Sequence, residues 1–284
     1  MTWEITHDVA EFHAVAGAYL AADPVRNTVL LTVSDLVRRR GPYVYGDEVP
    51  ARFGWWREAE GGAVEGVFVH TPPYRPILGP MPDRAARGLV QKWRSSGARV
   101  PGVTGAQRTV EVLADEWRAG NGSSTVFRAD RLFRLDVLTP PRPGPAGAAE
   151  VAGAADLPLV VDWFGTFAEH VGSVPGTDYT AQMTRRVEAG QILLWKVDAV
   201  PVSMAGFSAV SAGQARVGPV YTPAELRGRG YAGAVTCAVS EAAQAAGAEQ
   251  VVLFADRANP TSNALYQRLG FRPVGDFLML DLTD

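Results

Sequence analysis

Arg227-Gly228-Arg229-Gly230-Tyr231-Ala232 follows a strand-like run, Ala215-Arg216-Val217-Gly218-Pro219-Val220-Tyr221-Thr222, and opens a segment from about Tyr231 to Ala246. In that segment Tyr231, Val235, Ala238, Val239, Ala242 and Ala246 recur at helical spacing. Glycine adopts backbone conformations closed to other residues and lets main-chain N–H groups approach an anion. A helix start adds unpaired donors and about half a positive charge. Together these features predict a cradle for a pyrophosphate.

The same letters match the dinucleotide fingerprint G-x-G-x-x-G at Gly228, Gly230 and Gly233. In a nicotinamide or flavin fold the first glycine follows its strand almost at once, and several βα units come after it. Here Pro223-Ala224-Glu225-Leu226-Arg227 intervenes, and the remaining chain has room for one helix, one strand, one short helix and a last strand. Neither condition of the fingerprint is met. The plain alternative is an ordinary glycine-rich turn.

A second block lies downstream. Asn259-Pro260-Thr261-Ser262-Asn263-Ala264-Leu265-Tyr266-Gln267-Arg268-Leu269-Gly270-Phe271 reads as an asparagine cap, a short helix with proline at its first position, and a glycine stop. Between the two blocks the apolar run Val251-Val252-Leu253-Phe254-Ala255 predicts a strand covered on both faces.

The first block looks like the Q/R-x-x-G-x-G/A signature of GCN5-related N-acetyltransferases (GNAT), and the second resembles the asparagine-rich turn, short helix and Y-x-x-x-G-F ending of that superfamily. The resemblance is clear from about Ala149 to Asp284 and weak before it. It implies a bacterial-type α+β (mixed α/β) protein, with a mostly antiparallel mixed sheet flanked by helices in each of two tandem GNAT-like domains.

Composition sets compatible limits. The chain has 284 residues, 47% hydrophobic and 20% charged, enough for two domains with cores of their own. A formal net charge of −3 argues against a nucleic-acid binder. Cys237 is the one cysteine, so no internal disulfide or zinc cluster is expected. His7, His13 and His70 have no ligand spacing, so no metal is expected. The N-terminal residues lack a signal-like pattern and no run reaches membrane-spanning length, so a cytoplasmic protein without membrane contact is expected. A monomer or homodimer fits equally.

Thr139-Pro140-Pro141-Arg142-Pro143-Gly144-Pro145-Ala146-Gly147 holds four prolines and two glycines, and reads as a linker. It divides residues 1–138 from 149–284, with 139–148 between them. After it come a strand at Glu150-Val151, helices from Leu157 to Val171 and Tyr179 to Ala189, and strands from Gln191 to Val197 and Val200 to Ala209 joined at Asp198-Ala199. The strand into the glycine loop follows, and Phe277 to Leu282 is expected to close this sheet. In the first half, helices at Val9 to Ala22 and Val25 to Arg40 precede strands at Ala51 to Glu58 and Ala63 to His70, joined at Gly61-Gly62. Further strands are expected near Pro76 to Leu78, near Val100 and from Leu132 to Leu138, with helices from Asp83 to Ser95 and Gln107 to Arg118. The order is that of a decayed copy. Where the loop belongs stands Gly79-Pro80-Met81-Pro82-Asp83, whose prolines remove N–H donors, so only the second copy is expected to bind the cofactor.

The resemblance implies acetyl-coenzyme A as co-substrate. Its pyrophosphate would lie on the N–H groups from Gly228 to Ala232, including Arg229, Gly230 and Tyr231, with Arg227 and Arg229 adding charge or facing water. The pantetheine arm would pair along Val220, Tyr221 and Thr222, where Pro219 withdraws one donor. An N–H there would stabilise the tetrahedral intermediate. Tyr266 resembles the family's proton donor to the departing thiolate, with core packing as its alternative. Asn259, Ser262 and Asn263 resemble residues that hold the pantetheine amides; helix capping is the alternative for Asn259.

The base stays open. Glu169 and His170 end the first helix of this half and are either acceptor-facing groups or ordinary helix-end charge. Asp256 is a base candidate or a turn former. Trp163 and Phe167 are an acceptor wall or core, and Cys237 reads as packing. Gly206-Phe207-Ser208-Ala209-Val210 starts like a nucleophile elbow but lacks its last glycine, so a serine hydrolase is not expected. The expected function is transfer of an acetyl group to an amine of a small-molecule or peptide acceptor by direct attack. The alternative is a non-catalytic coenzyme A or acyl-coenzyme A sensor or accessory protein.

Overall fold

The computed structural model describes residues 2–44, 46, 48–171 and 176–283. In chain order the elements are β1 (Thr2–Thr6), α1 (Val9–Ala22), α2 (Thr28–Arg40), β2 (Arg52–Arg57), β3 (Val64–His70), β4 (Ile77–Leu78), α3 (Asp83–Ser95), β5 (Gly102–Ala106), α4 (Gln107–Ala119) and β6 (Ser123–Leu135). There follow β7 (Ala148–Val151), α5 (Leu157–His170), α6 (Thr180–Glu188), β8 (Ile192–Val197), β9 (Val200–Phe207), β10 (Gln214–Tyr221), α7 (Tyr231–Ala245), β11 (Gln250–Asp256), α8 (Pro260–Arg268) and β12 (Phe271–Thr283).

These elements form two compact units. The first holds Met1–Leu132, Asp256–Ala258 and Val274–Asp284; the second holds Phe133–Ala255 and Asn259–Pro273. In the first, strands run in the order β1-β2-β3-β4-β5-β12, antiparallel except for the parallel pair β4 and β5. Successive strand residues face opposite ways. Phe53, Trp55, Val67 and Val69 therefore pack with Phe12, Leu20 and Leu30 of α1 and α2, while Trp56 and Phe68 pack with Leu89, Trp93 and Leu113 of α3 and α4.

The second unit has the order β11-β10-β9-β8-β7, with β10 and β11 parallel and the rest antiparallel. Leu193, Ala205, Phe207, Val217 and Leu253 pack under Val235, Val239 and Tyr266 of α7 and α8. Their alternates Ile192, Leu194 and Met204 pack with Val160, Trp163, Met183 and Val187 of α5 and α6. The hairpin between β8 and β9 turns at Asp198 and Ala199, both at positive φ (49° and 64°), the backbone of a two-residue primed turn. Each unit is thus a mixed, mostly antiparallel sheet flanked by helices, as expected from the sequence.

Five points differ from the expectation. The strand β1 was not foreseen. The α2 helix starts at Thr28 rather than Val25. The strand expected near Val100 lies at Gly102–Ala106, where a Cβ on Gly102 would stand 2.2 Å from the Leu280 carbonyl and one on Gly105 2.6 Å from the Leu78 carbonyl. Close strand approach selects these glycines, and it lowers the strand signal. The last strand does not close the sheet of the glycine-loop unit: Phe277 to Asp281 pair antiparallel with Gly102 to Ala106, and Leu278, Leu280 and Leu282 enter the core of α3 and α4. Likewise β6 begins at Ser123, and its end, Phe133 and Leu135, belongs to the core of α7 and α8.

Candidate active site

The site is built where β10 parts from its neighbours. Parallel pairing with β11 runs from Gln214↔Gln250 to Val217↔Leu253 and stops there. On the other side, β10 advances three residues (217 to 220) while β9 advances two (207 to 205), so one extra residue bulges at Gly218-Pro219. Val220 and Tyr221 pair with Ala205 and Met204, leaving their other edge without a strand among the described residues. Two side chains pin the strand end. Buried Ser203 donates to the Tyr221 carbonyl (3.0 Å) and lies 2.8 Å from Thr222 Oγ1, and Arg227 Nε donates to the Thr222 carbonyl (3.0 Å).

The exposed loop follows. Gly228 and Gly230 have φ of 76° and 86°, and Gly230 caps α7 in the left-handed conformation. The first main-chain bond of the helix runs from the Ala234 N–H to the Gly230 carbonyl (3.1 Å), so the N–H groups of Tyr231, Ala232 and Gly233 have no acceptor within the helix. Arg229 Nη2 reaches back to the Glu225 carbonyl (3.3 Å). Both loop arginines are therefore turned onto the main chain at the rim.

On α8, Asn259 Oδ1 accepts the Ser262 N–H (3.0 Å), and the Asn259 carbonyl accepts from Asn263 Nδ2 (2.7 Å). Capping is thus one role of Asn259, and it orders Ser262 and Asn263. Tyr266 is buried between Phe133 (ring centroids 6.4 Å) and Phe271 (6.1 Å). Burial pushes its phenol up to about 12, so it holds its proton at neutral pH.

The remaining candidates separate. Glu169 is exposed at the end of α5; the His170 side chain lies outside the described residues. Asp256 Oδ1 accepts the Ala258 N–H (2.8 Å), a turn-forming bond. Trp163 is buried and packs on Tyr221 (5.7 Å), so one ring of α5 covers the strand end, whereas Phe167 pairs with Phe164 (6.1 Å). Cys237 is buried in α7 and burial raises its thiol to about 11. It should resist alkylation in native protein at pH 8 and react fully in denaturant; rapid native labelling would contradict this packing. Among the described residues no group of three or more His, Cys, Asp or Glu is placed to hold a metal ion, and no helix is long and apolar enough to cross a membrane.

The stretch Gly79-Pro80-Met81-Pro82 before α3 is differently filled. A Cβ on Gly79 would meet the Tyr19 hydroxyl at 2.9 Å, and that hydroxyl donates to the Pro80 carbonyl. Burial raises the Tyr19 phenol, keeping it a donor. Pro82 occupies the cap position of α3 and offers no N–H. Sequence reasoning did not single out Tyr19, Ser203 or Arg186, a residue of α6 that reaches the β10 bulge. A serine inside the apolar run Val202-Ser203-Met204 is a signal only once its strand is known to be buried.

Residues 157–271 match the Acetyltransferase (GNAT) family profile. No curated protein matches the chain. Among solved structures, a GCN5-related N-acetyltransferase from Sphaerobacter thermophilus is 17% identical, with 98% of this chain and 94% of that chain covered and a TM-score of 0.61. A GNAT-family acetyltransferase from Colwellia psychrerythraea is 12% identical (100% and 99% covered, TM-score 0.60). A tandem GNAT protein from the clavulanic acid biosynthesis pathway is 13% identical (99% and 98% covered, TM-score 0.57). Residues 157–271, which hold the glycine loop and the α8 block, thus match the GNAT acetyltransferase family, and the chain shares the fold of a tandem GNAT protein over nearly its whole length.

Proposed function

We propose that the chain transfers an acetyl group from acetyl-coenzyme A to an amine of a small-molecule or peptide acceptor. The observation that carries this reading is the junction of two features: β10 loses its β11 partner after Val217, and a loop with two positive-φ glycines then opens α7. An extended, amide-rich arm fits the edge of Val220, Tyr221 and Thr222, and a diphosphate fits the N–H groups from Gly228 to Ala232, of which those of Tyr231 and Ala232 have no acceptor within the helix. Arg227 and Arg229 supply charge at the rim. Asn259, Ser262 and Asn263 line the far side of the arm.

In the reaction the amine attacks the thioester carbonyl, and the β10 main chain stabilises the oxyanion. The carbon–sulfur bond then breaks, and Tyr266 protonates the leaving thiolate. Glu169 is our candidate to take the proton from the attacking amine. Residues 149–273 carry this chemistry in our reading, whereas the first copy, with Tyr19 and Pro82 filling its loop position, carries none.

Calorimetry with coenzyme A, together with release of free thiol from acetyl-coenzyme A in the presence of a panel of amines, tests the proposal. Binding with amine-dependent thiol release is expected. Binding without release under any amine would favour a coenzyme sensor, and absence of binding would remove the assignment.

A further inference from the structure

The bulge that opens the slot has a charged support on α6. Arg186 Nη2 donates to two carbonyls on facing strands, Phe207 (2.9 Å) and Gly218 (2.6 Å). These carbonyls sit where the β9–β10 register slips between Val217↔Phe207 and Val220↔Ala205. A carbonyl displaced from its ladder needs another donor, or its desolvation cost is not recovered. One guanidinium nitrogen satisfies both strands. It reaches them only because residue 206 is glycine, since a Cβ there would lie 2.8 Å from Arg186 Nη2 and 2.6 Å from Ile192 Cδ1. The Gly206-Phe207 pair, which by sequence looked like the beginning of a nucleophile elbow, is thus the seat of an arginine.

The arrangement has a cost that marks it as more than a surface contact. Burial, and then the nearby Arg216 charge, pulls the Arg186 guanidinium down to about 10, so it stays cationic at neutral pH. Charged donors give the shorter and stronger hydrogen bonds.

We infer that Arg186 is a positioning residue for the pantetheine arm, fixing the Gly218 bulge so that the free edge of β10 at Val220 to Thr222 stays open to it. This rests on the coenzyme reading proposed above. It separates the two ends of the ligand: the arm depends on Arg186, and the diphosphate on the loop, which Arg186 does not touch.

The test compares coenzyme A with 3′-phospho-ADP (adenosine 3′-phosphate 5′-diphosphate), which keeps the diphosphate and lacks the arm, by calorimetry on the full chain. In Arg186→Met, affinity for coenzyme A should fall by about tenfold or more while affinity for 3′-phospho-ADP stays within about twofold. The KM for acetyl-coenzyme A should rise more than kcat falls. Arg186→Lys keeps the cation but lacks the planar fork, so a smaller loss in the same sense is expected, and it serves if the methionine variant does not fold. Unchanged coenzyme A affinity in the variants, or equal loss of both ligands, overturns the role of Arg186 while leaving the coenzyme reading in place. Wild-type protein that binds neither ligand overturns both.

Discussion

Gly230→Asp should weaken coenzyme A binding by about a hundredfold while leaving the protein folded. Position 230 has φ of 86° and caps α7, and its Cα faces Pro145, where a Cβ would lie 3.7 Å away, an ordinary contact. Aspartate tolerates the left-handed region better than most residues, and a carboxylate at a helix start is worth about 0.3–1 kcal/mol to the unliganded helix. The melting temperature should therefore change little. The same carboxylate would sit within about 4 Å of an incoming diphosphate, where like charges repel by about 4 kcal/mol at intermediate dielectric. Discounting this for solvent at an exposed loop still leaves a loss of about a hundredfold. Gly230→Ala isolates the backbone component: alanine carries the left-handed strain of about 1–2 kcal/mol without charge, so calorimetry should rank wild type, Ala, Asp. Equal binding by Asp and wild type would sink the loop as the diphosphate seat.

Tyr266→Phe should lower kcat by about a hundredfold, the scale of one positioned proton donor, with KM for acetyl-coenzyme A within about twofold. The packing between Phe133 and Phe271 survives the change, because only the hydroxyl is removed. A stopped assay of thiol release checks this, and unchanged turnover would return Tyr266 to the core. A second readout follows from its burial. The native phenol sits near 12 and an unperturbed one near 10, so the native state holds this proton more tightly. The stability it contributes is complete below about pH 10 and is lost as pH rises through about 12, about 2–3 kcal/mol in all. Melting curves of the Phe variant should fall less steeply over that window.

The parts of the site legible in the sequence are those set by neighbours along the chain. Gly228 and Gly230 are read from their own φ requirement, and Asn259-Pro260 from a cap that reaches only to Ser262. Strand pairing is different, because it joins residues far apart in sequence. Leu278, Leu280 and Leu282 alternate as a strand should, but nothing in that pattern says that their partners are Gly102 to Ala106. The same holds for Arg186 and Ser203, whose roles come from carbonyls 21, 32 and 18 residues away. Glu169 shows the complementary limit: its place at a helix end is readable, but what it faces is set by tertiary structure.

The partner of the final strand also orders events during synthesis. The first unit needs residues 274–283 to complete its sheet, and these leave the ribosome after every residue of the glycine-loop unit has been made. The unit begun first is therefore finished last, and until then the edge of β5 and the leucine seats beneath α3 and α4 stand open. A shortened gene ending at residue 138 would express a half that lacks its own closing strand, and aggregation of such a fragment would report that missing piece and not an intrinsic weakness of the half.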